Sequence, residues 1–289
     1  MMEYMTETYT WAITHEKEFL INLCKGLVAS FIIAAIALLS GIQAPYGRYS
    51  KPGWGFLING KLAWIVQEAP NLVVVYWLYY HVEGNAEAKN SFTNRVLLGM
   101  FIYHYIYRTC IFPLRLRGGK KTAFAPFFMA LSFCVINGYL QGRSLTYFYV
   151  YDDEWLQSPN FIIGFAIFCT GWFINFYHDS VLINLRKPGE KGYKIPKSGL
   201  FKYISGANFF GEIVEWTGFA IACSNWPAAT FAFTTAMNIG PRAIQHHQWY
   251  LQKFDNYPKE RKVVPLLEHA PSSIEINPKV GSKVDPTAA

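Results

Sequence analysis

Charge is scarce in this chain of 289 residues. Asp, Glu, Lys and Arg together make up 16 %, against 52 % hydrophobic and 18 % aromatic residues. The apolar residues gather in runs long enough to cross the roughly 30 Å hydrocarbon core of a bilayer, which reads as a polytopic membrane protein. Cysteine is also sparse: Cys24, Cys110, Cys134, Cys169 and Cys223 lie in apolar stretches without close pairing. They read as small hydrophobes, and a disulfide framework is excluded. Metal-ligand spacing is missing, because His246 and His247 are adjacent, about 100° apart on a helix, with no HxxxH partner set; no metal is expected. Gly118 and Gly119 precede two lysines, but without P-loop spacing or a preceding strand, so no soluble nucleotide-binding fingerprint is present. Nor is there a cleavable signal, since the charge-free stretch 26–45 is about twice as long as a signal-peptide core.

What is present is a series of spans at 26–45, 62–80, 96–114, 122–140, 161–185, 204–226 and 227–254. The expected fold is all-α, a bundle of seven transmembrane helices, with 1–18 as an N-terminal segment, 19–262 as the membrane domain and 263–289 as a disordered tail. Asn225, Trp226 and Pro227 fit a tight hairpin between the last two spans, and Pro70 and Pro241 should kink their helices. Basic residues fill the odd loops: Arg48, Lys51 and Lys61; Arg115, Arg117, Lys120 and Lys121; Arg186, Lys187, Lys191, Lys194, Lys197 and Lys202. Acidic residues mark the other side: Glu3, Glu7, Glu16, Glu18, Glu83, Glu87, Asp152, Asp153 and Glu154. The N-terminus is therefore expected outside and the C-terminus in the cytoplasm, with the net charge of +7 explained by topology and no nucleic-acid partner implied.

Polar side chains recur at helical spacing in the last three spans. Asn175 and Asp179, then Asn208, Glu212 and Glu215, then Arg242, His246 and Tyr250 are three or four residues apart, so each row lines one helix face. Such groups are costly in hydrocarbon and face a protein-lined cavity. The basic fifth loop has an ordinary explanation in the positive-inside rule or in anionic lipid. Above a polar cavity, though, a basic mouth also suits a phosphorylated ligand.

A second constellation lies upstream. Gln67 and Glu68 fall within the second span, and Tyr105 and Arg108 sit one turn apart in the third, beside His104. A carboxyl group buried in an apolar helix can stay protonated near neutrality and donate a hydrogen bond. Spacing leaves two readings of Glu68 open: that acid, or the charge partner of Arg108. Tyr105, one of nineteen tyrosines, fits a core aromatic as well as a catalyst.

Several motifs resemble those of the steroid 5α-reductase family. These are NLRKPGEKGYKIPKSGLFKY at 184–203, ISGANFFGEIVEW after it, PRAIQHHQWYLQKFDNYPKERK at 241–262, AWIVQEAP at 63–70 and HYIYRT at 104–109, with YGRY at 46–49 a weaker match. The resemblance implies a seven-helix enzyme that uses NADPH to saturate the 4,5 double bond of a 3-oxo-4-ene steroid. By motif match Glu68 and Tyr105 polarise the 3-oxo group, and Gln67 and Trp64 line the substrate side. Asn175, Asp179, Arg186, Tyr193, Asn208, Glu212, Arg242, His246, Tyr250, Arg108 and Tyr46 fall on the cofactor side.

It also implies a monomer in a membrane, endoplasmic reticulum in a eukaryote or inner membrane in a bacterium. Steroid enters from the lipid phase and NADPH from the cytosol. RLRGGKK in the third loop departs from the family pattern, which leaves the 2'-phosphate ligand unassigned. The alternatives are a membrane enoyl-thioester or polyprenol reductase, because an enoyl thioester presents the same conjugated carbonyl, and a non-enzymatic sterol-binding receptor or carrier.

Overall fold

Stretches without charge become long helices that turn large apolar side chains outward. In a computed structural model that describes residues 14–265 apart from 44, 46, 50–52, 119, 188 and 191, the chain is mostly helical. Tyr46 and 266–289 of the expected tail lie outside the described residues, whereas Val263 and Val264 are buried beside Ala243 and Ile244. The helices are α1 (Glu16–Leu39), α2 (Gly60–Glu68), α3 (Pro70–Tyr80), α4 (Ala86–Asn90), α5 (Phe92–Tyr105), α6 (Phe112–Arg115), α7 (Phe124–Arg143), α8 (Pro159–Ile183), α9 (Ala207–Cys223) and α10 (Trp226–Lys253). Among the described residues three segments, Glu16–Leu39, Phe124–Phe148 and Pro159–Ile183, are long and apolar enough to cross a membrane. Ile33, Met129 and Phe173 are 68 %, 67 % and 62 % exposed, a placement suited to lipid and costly in water.

Prolines stand at the start of two helices. Pro70 opens α3 after a one-residue break at Ala69. Pro227 lies in the first turn of α10, whose N-cap Asn225 accepts from the Ala228 amide at 2.9 Å. Ser224, in the left-handed region at φ 46°, closes α9 and completes the hairpin. Pro241 is carried inside α10, which continues through it.

Loops sort by charge. At one end β1 (Leu57–Ile58) pairs antiparallel with β2 (Thr122–Ala123), Arg117 reaches Asn184 at 2.9 Å, and Gln245 donates to the carbonyl of Leu38 at 2.8 Å. At the other, Ser91 and Thr93 donate to the carbonyls of Tyr151 and Asp152 at 2.7 and 2.8 Å. Arg143 grips both oxygens of Glu16, at 2.6 and 2.5 Å, and the Glu83 carbonyl at 2.9 Å, fastening α1 to α7 on the acidic side.

Glycines let α8 and α9 touch backbone to backbone. A Cβ at Gly164 or Gly171 would strike the backbone of Ala222 or Glu215, and one at Gly211 or Gly218 that of Asn175 or Phe168. Each pair is seven residues apart, so one seam of each helix is stripped to Cα along its length. That contact fixes the register of Asn175 and Asp179 against Asn208 and Glu212. Gly211→Ala should cost about 1–3 kcal/mol by overpacking. Thermal unfolding in detergent measures it, and an unchanged midpoint would contradict the close approach.

Candidate active site

The first wall of the site is α2. Its N-cap, Asn59, accepts from the amides of Lys61 and Leu62 at 3.0 and 3.2 Å, and Trp64, Gln67 and Glu68 follow on one face. Gln67 donates to Glu68 Oε1 at 3.3 Å, and the Cys134 thiol of α7 lies 3.8 Å from Glu68 Oε2. Reading Cys134 as a small hydrophobe gave no hint of that contact. The thiol is buried, yet it faces the carboxyl.

The second wall is the end of α5. Regular α-helix stops at Tyr105 and a π-helical turn, Ile106–Ile111, runs on into α6. In the π pattern the Arg108 carbonyl would accept from residue 113, which is a proline and has no N–H. The Trp64 indole fills that vacancy, donating to the Arg108 carbonyl at 3.1 Å. The Arg108 guanidinium then lies 4.9 Å over the Trp64 ring and 4.6 Å over that of Phe112. Tyr105 is buried against Phe101, His104, Trp216 and Phe231, with ring centroids 4.7 to 6.4 Å away. Among the described residues its hydroxyl has no hydrogen-bond partner.

Both α8 and α9 close on Arg108. Its Nη1 is 2.9 Å from Asp179 Oδ2 and its Nη2 is 3.4 Å from Glu212 Oε2. Asn208 donates to Asp179 Oδ1 at 3.0 Å, and Asn175 donates to the Asn208 carbonyl at 3.0 Å and to Glu212 Oε2 at 3.4 Å. Five residues from three elements therefore share one network. Of the two sequence readings of Glu68, pairing with Arg108 is not the ion pair that forms; Asp179 and Glu212 take that cation. Glu215 also leaves the row it was grouped with. It is fully buried, and its Oε1 lies 2.7 Å from His104 Nδ1.

The third row surrounds the same end of α9 less directly. His246 packs against Phe209 at 5.2 Å and Tyr49 at 5.7 Å, while Tyr250 is buried and stacks on Tyr257 at 5.1 Å. Arg242 is half-buried one turn before His246. Tyr193 sets its ring 4.8 Å from that of Trp249, and Arg186 donates to the Gly192 carbonyl at 3.2 Å.

Two groups with no sequence signal beyond adjacency hold this end closed. His178, next to Asp179, uses both ring nitrogens: Nδ1 is 2.7 Å from the Ile174 carbonyl, and Nε2 accepts from the Leu200 amide at 2.9 Å. It thereby ties the fifth loop to α8. Ser205 Oγ bridges His247 Nδ1 at 2.6 Å and the Tyr257 hydroxyl at 2.7 Å.

The donor set suits a dinucleotide phosphate. Guanidinium and imidazole groups match phosphate, and amides and carboxylates match ribose hydroxyls and a carboxamide. Glu68, Arg108, Asn208, Glu212, Arg242 and His246 each keep some accessible surface, while Asn175, Asp179 and Glu215 behind them are buried.

A family model described as 3-oxo-5-alpha-steroid 4-dehydrogenase matches residues 120–267. The 3-oxo-5-alpha-steroid 4-dehydrogenase 1 of Rattus norvegicus is 45 % identical over 246 residues, covering 85 % of this chain and 94 % of the relative. The Mus musculus protein of the same name is 47 % identical over 231 residues, 79 % of this chain and 89 % of that one. A steroid 5-alpha-reductase of Gossypium hirsutum is 40 % identical over 250 residues, 83 % and 95 % of the two chains. Such identity over nearly the whole length of animal and plant relatives leaves one conclusion: the chain belongs to the 3-oxo-5-alpha-steroid 4-dehydrogenase family of oxidoreductases.

Proposed function

We propose that the chain reduces the 4,5 double bond of 3-oxo-4-ene steroids to 5α-reduced 3-oxosteroids, with NADPH as reductant. One observation carries this reading: Arg108 touches Trp64 on the wall that holds Glu68 and ion-pairs Asp179 and Glu212 on the other, so the two residue sets adjoin. NADPH, when bound, would supply the hydride for carbon 5, and a proton taken up at carbon 4 would complete the reduction. As charge moves onto the 3-oxo oxygen, Tyr105 and Glu68, the latter as the neutral acid, donate to it, and their hydrogen bonds strengthen toward the transition state. Trp64 and Gln67 border the steroid. Asn175, Asp179, Asn208, Glu212 and Arg108 hold the nicotinamide half of the cofactor, and Arg186, Tyr193, Arg242, His246 and Tyr250 its phosphate half. Tyr46 joins them on motif grounds alone.

The membrane setting follows from the same features. Charge-sorted ends support seven spans, with the basic loops in the cytoplasm where NADPH is available and the acidic end outside. An apolar girdle supports steroid entry from lipid. The test is NADPH oxidation by purified protein offered testosterone, progesterone and an enoyl-CoA in parallel. Turnover of a 3-oxo-4-ene steroid is expected. Failure with both steroids would sink the substrate assignment, and turnover of the enoyl-CoA alone would replace it.

A further inference from the structure

Glu215 and His104 form a buried pair that the reduction scheme leaves without a task. Glu215 is 0 % exposed and His104 2 %, their polar atoms meet at 2.7 Å, and among the described residues Glu215 Oε2 has no hydrogen-bond partner. A paired acid and base deep in a membrane protein stabilise little compared with apolar side chains of similar size, because desolvation offsets their attraction. Simple cohesion between α5 and α9 is already supplied by Phe101, whose ring meets those of Trp216 and Phe219 at 6.0 and 6.1 Å, with Phe231 of α10 packed against both Phe101 and Trp216 at 6.0 and 4.3 Å. The pair adds direction to that contact.

Its placement shows what is being directed. His104 immediately precedes Tyr105 in the last turn of regular α-helix, before the π-helical turn breaks the i to i−4 ladder. Adjacent helical residues stand about 100° apart, so pinning the azimuth of His104 sets that of Tyr105. Glu215 is three residues after Glu212 on α9, and the Gly171 seam holds its backbone against α8. The His104 ring also lies 4.5 Å from Trp216, which stacks on Tyr105 at 6.0 Å and 29°. A rigid α8–α9 unit therefore reaches across to the residue next to the oxyanion donor.

We propose that Glu215 and His104 are positioning residues for the reduction, locking the Tyr105 hydroxyl at a fixed distance from the helix that carries Asn208 and Glu212. This rests on the reductase reading above. Neither residue touches substrate or cofactor in this scheme; both act through Tyr105 and Trp216.

Two fold-preserving variants test it. In Glu215→Gln the amide can accept from or donate to His104 at the same reach, and kcat should stay within roughly threefold of wild type. Glu215→Asp keeps the carboxyl group but draws it back by one methylene. There kcat should fall roughly 10- to 100-fold, the cost of a misplacement of about 1 Å. NADPH Kd should change by less than about threefold, and the primary isotope effect with 4-deuterated NADPH should rise, which a partly unfolded preparation would not produce. Adding His104→Leu to Glu215→Asp should cost little more, as expected of two residues acting as one unit. Wild-type kcat in Glu215→Asp, or a loss lying in Kd with the isotope effect unchanged, would overturn the proposal. Wild-type protein that turns over no 3-oxo-4-ene steroid would instead remove the reading on which it rests.

Discussion

Tyr105→Phe should leave a folded protein that binds NADPH normally and turns over steroid about 100- to 1000-fold more slowly, the usual cost of losing one oxyanion donor. Stability should hardly change. The ring that packs against Phe101, Trp216 and Phe231 is kept, and the hydroxyl has no partner among the described residues, so its removal orphans nothing. The loss should appear in kcat with KM little affected, because a ground-state carbonyl accepts a hydrogen bond far more weakly than a developing oxyanion. Glu68 gives the paired experiment. Glu68→Gln retains a donor beside Gln67 and Cys134 and should lose about tenfold, whereas Glu68→Leu retains none and should approach the Tyr105→Phe rate. Steady-state kinetics of the three variants decide the matter, and wild-type rates in all of them would take both residues out of catalysis.

Helical spacing was enough to group four residues of the network around Arg108. Asn175 with Asp179 and Asn208 with Glu212 are four residues apart, nearly one full turn, and in each pair both side chains enter the network around Arg108. The same logic misplaced Glu215. Three residues beyond Glu212 it falls toward the flank of the row, and a single chain cannot say which neighbouring helix covers that flank. Here α5 does, through His104. Spacing alone could not orient Arg108, which only the motif match put on the cofactor side, because its direction depends on a π-helical turn that no periodicity announces, although Pro113 was there to leave a carbonyl open. Cys134 failed for a plainer reason: a buried thiol in an apolar helix has the same pattern whether it faces a methyl group or a carboxyl group. Charge sorting of the loops and the Asn225–Pro227 hairpin were legible, since both are local chemistry.

Arg108→Met should be the most damaging single change to stability. Asp179 and Glu212 would be left without their cation while Asn175 and Asn208 still hold them in place. Breaking one side of a fully buried ion pair costs about 3–5 kcal/mol, and for this partly buried one, at about 3 kcal/mol, the thermal midpoint of a protein of this size should fall by roughly 10 °C. Arg108→Lys should fall between. An ammonium keeps the charge but cannot fork to two carboxylates, nor lie flat on Trp64 and Phe112 as the guanidinium does at 4.9 and 4.6 Å. The decisive variant is the triple change Arg108→Met, Asp179→Asn, Glu212→Gln, which removes the cation and both anions together. Thermal unfolding in detergent should recover most of the lost midpoint, because amides in a buried network cost far less than unpaired carboxylates. NADPH affinity should stay low if these three charges grip the cofactor. Recovery of both stability and affinity would make the network a structural clamp and move cofactor binding to Arg186, Arg242 and His246.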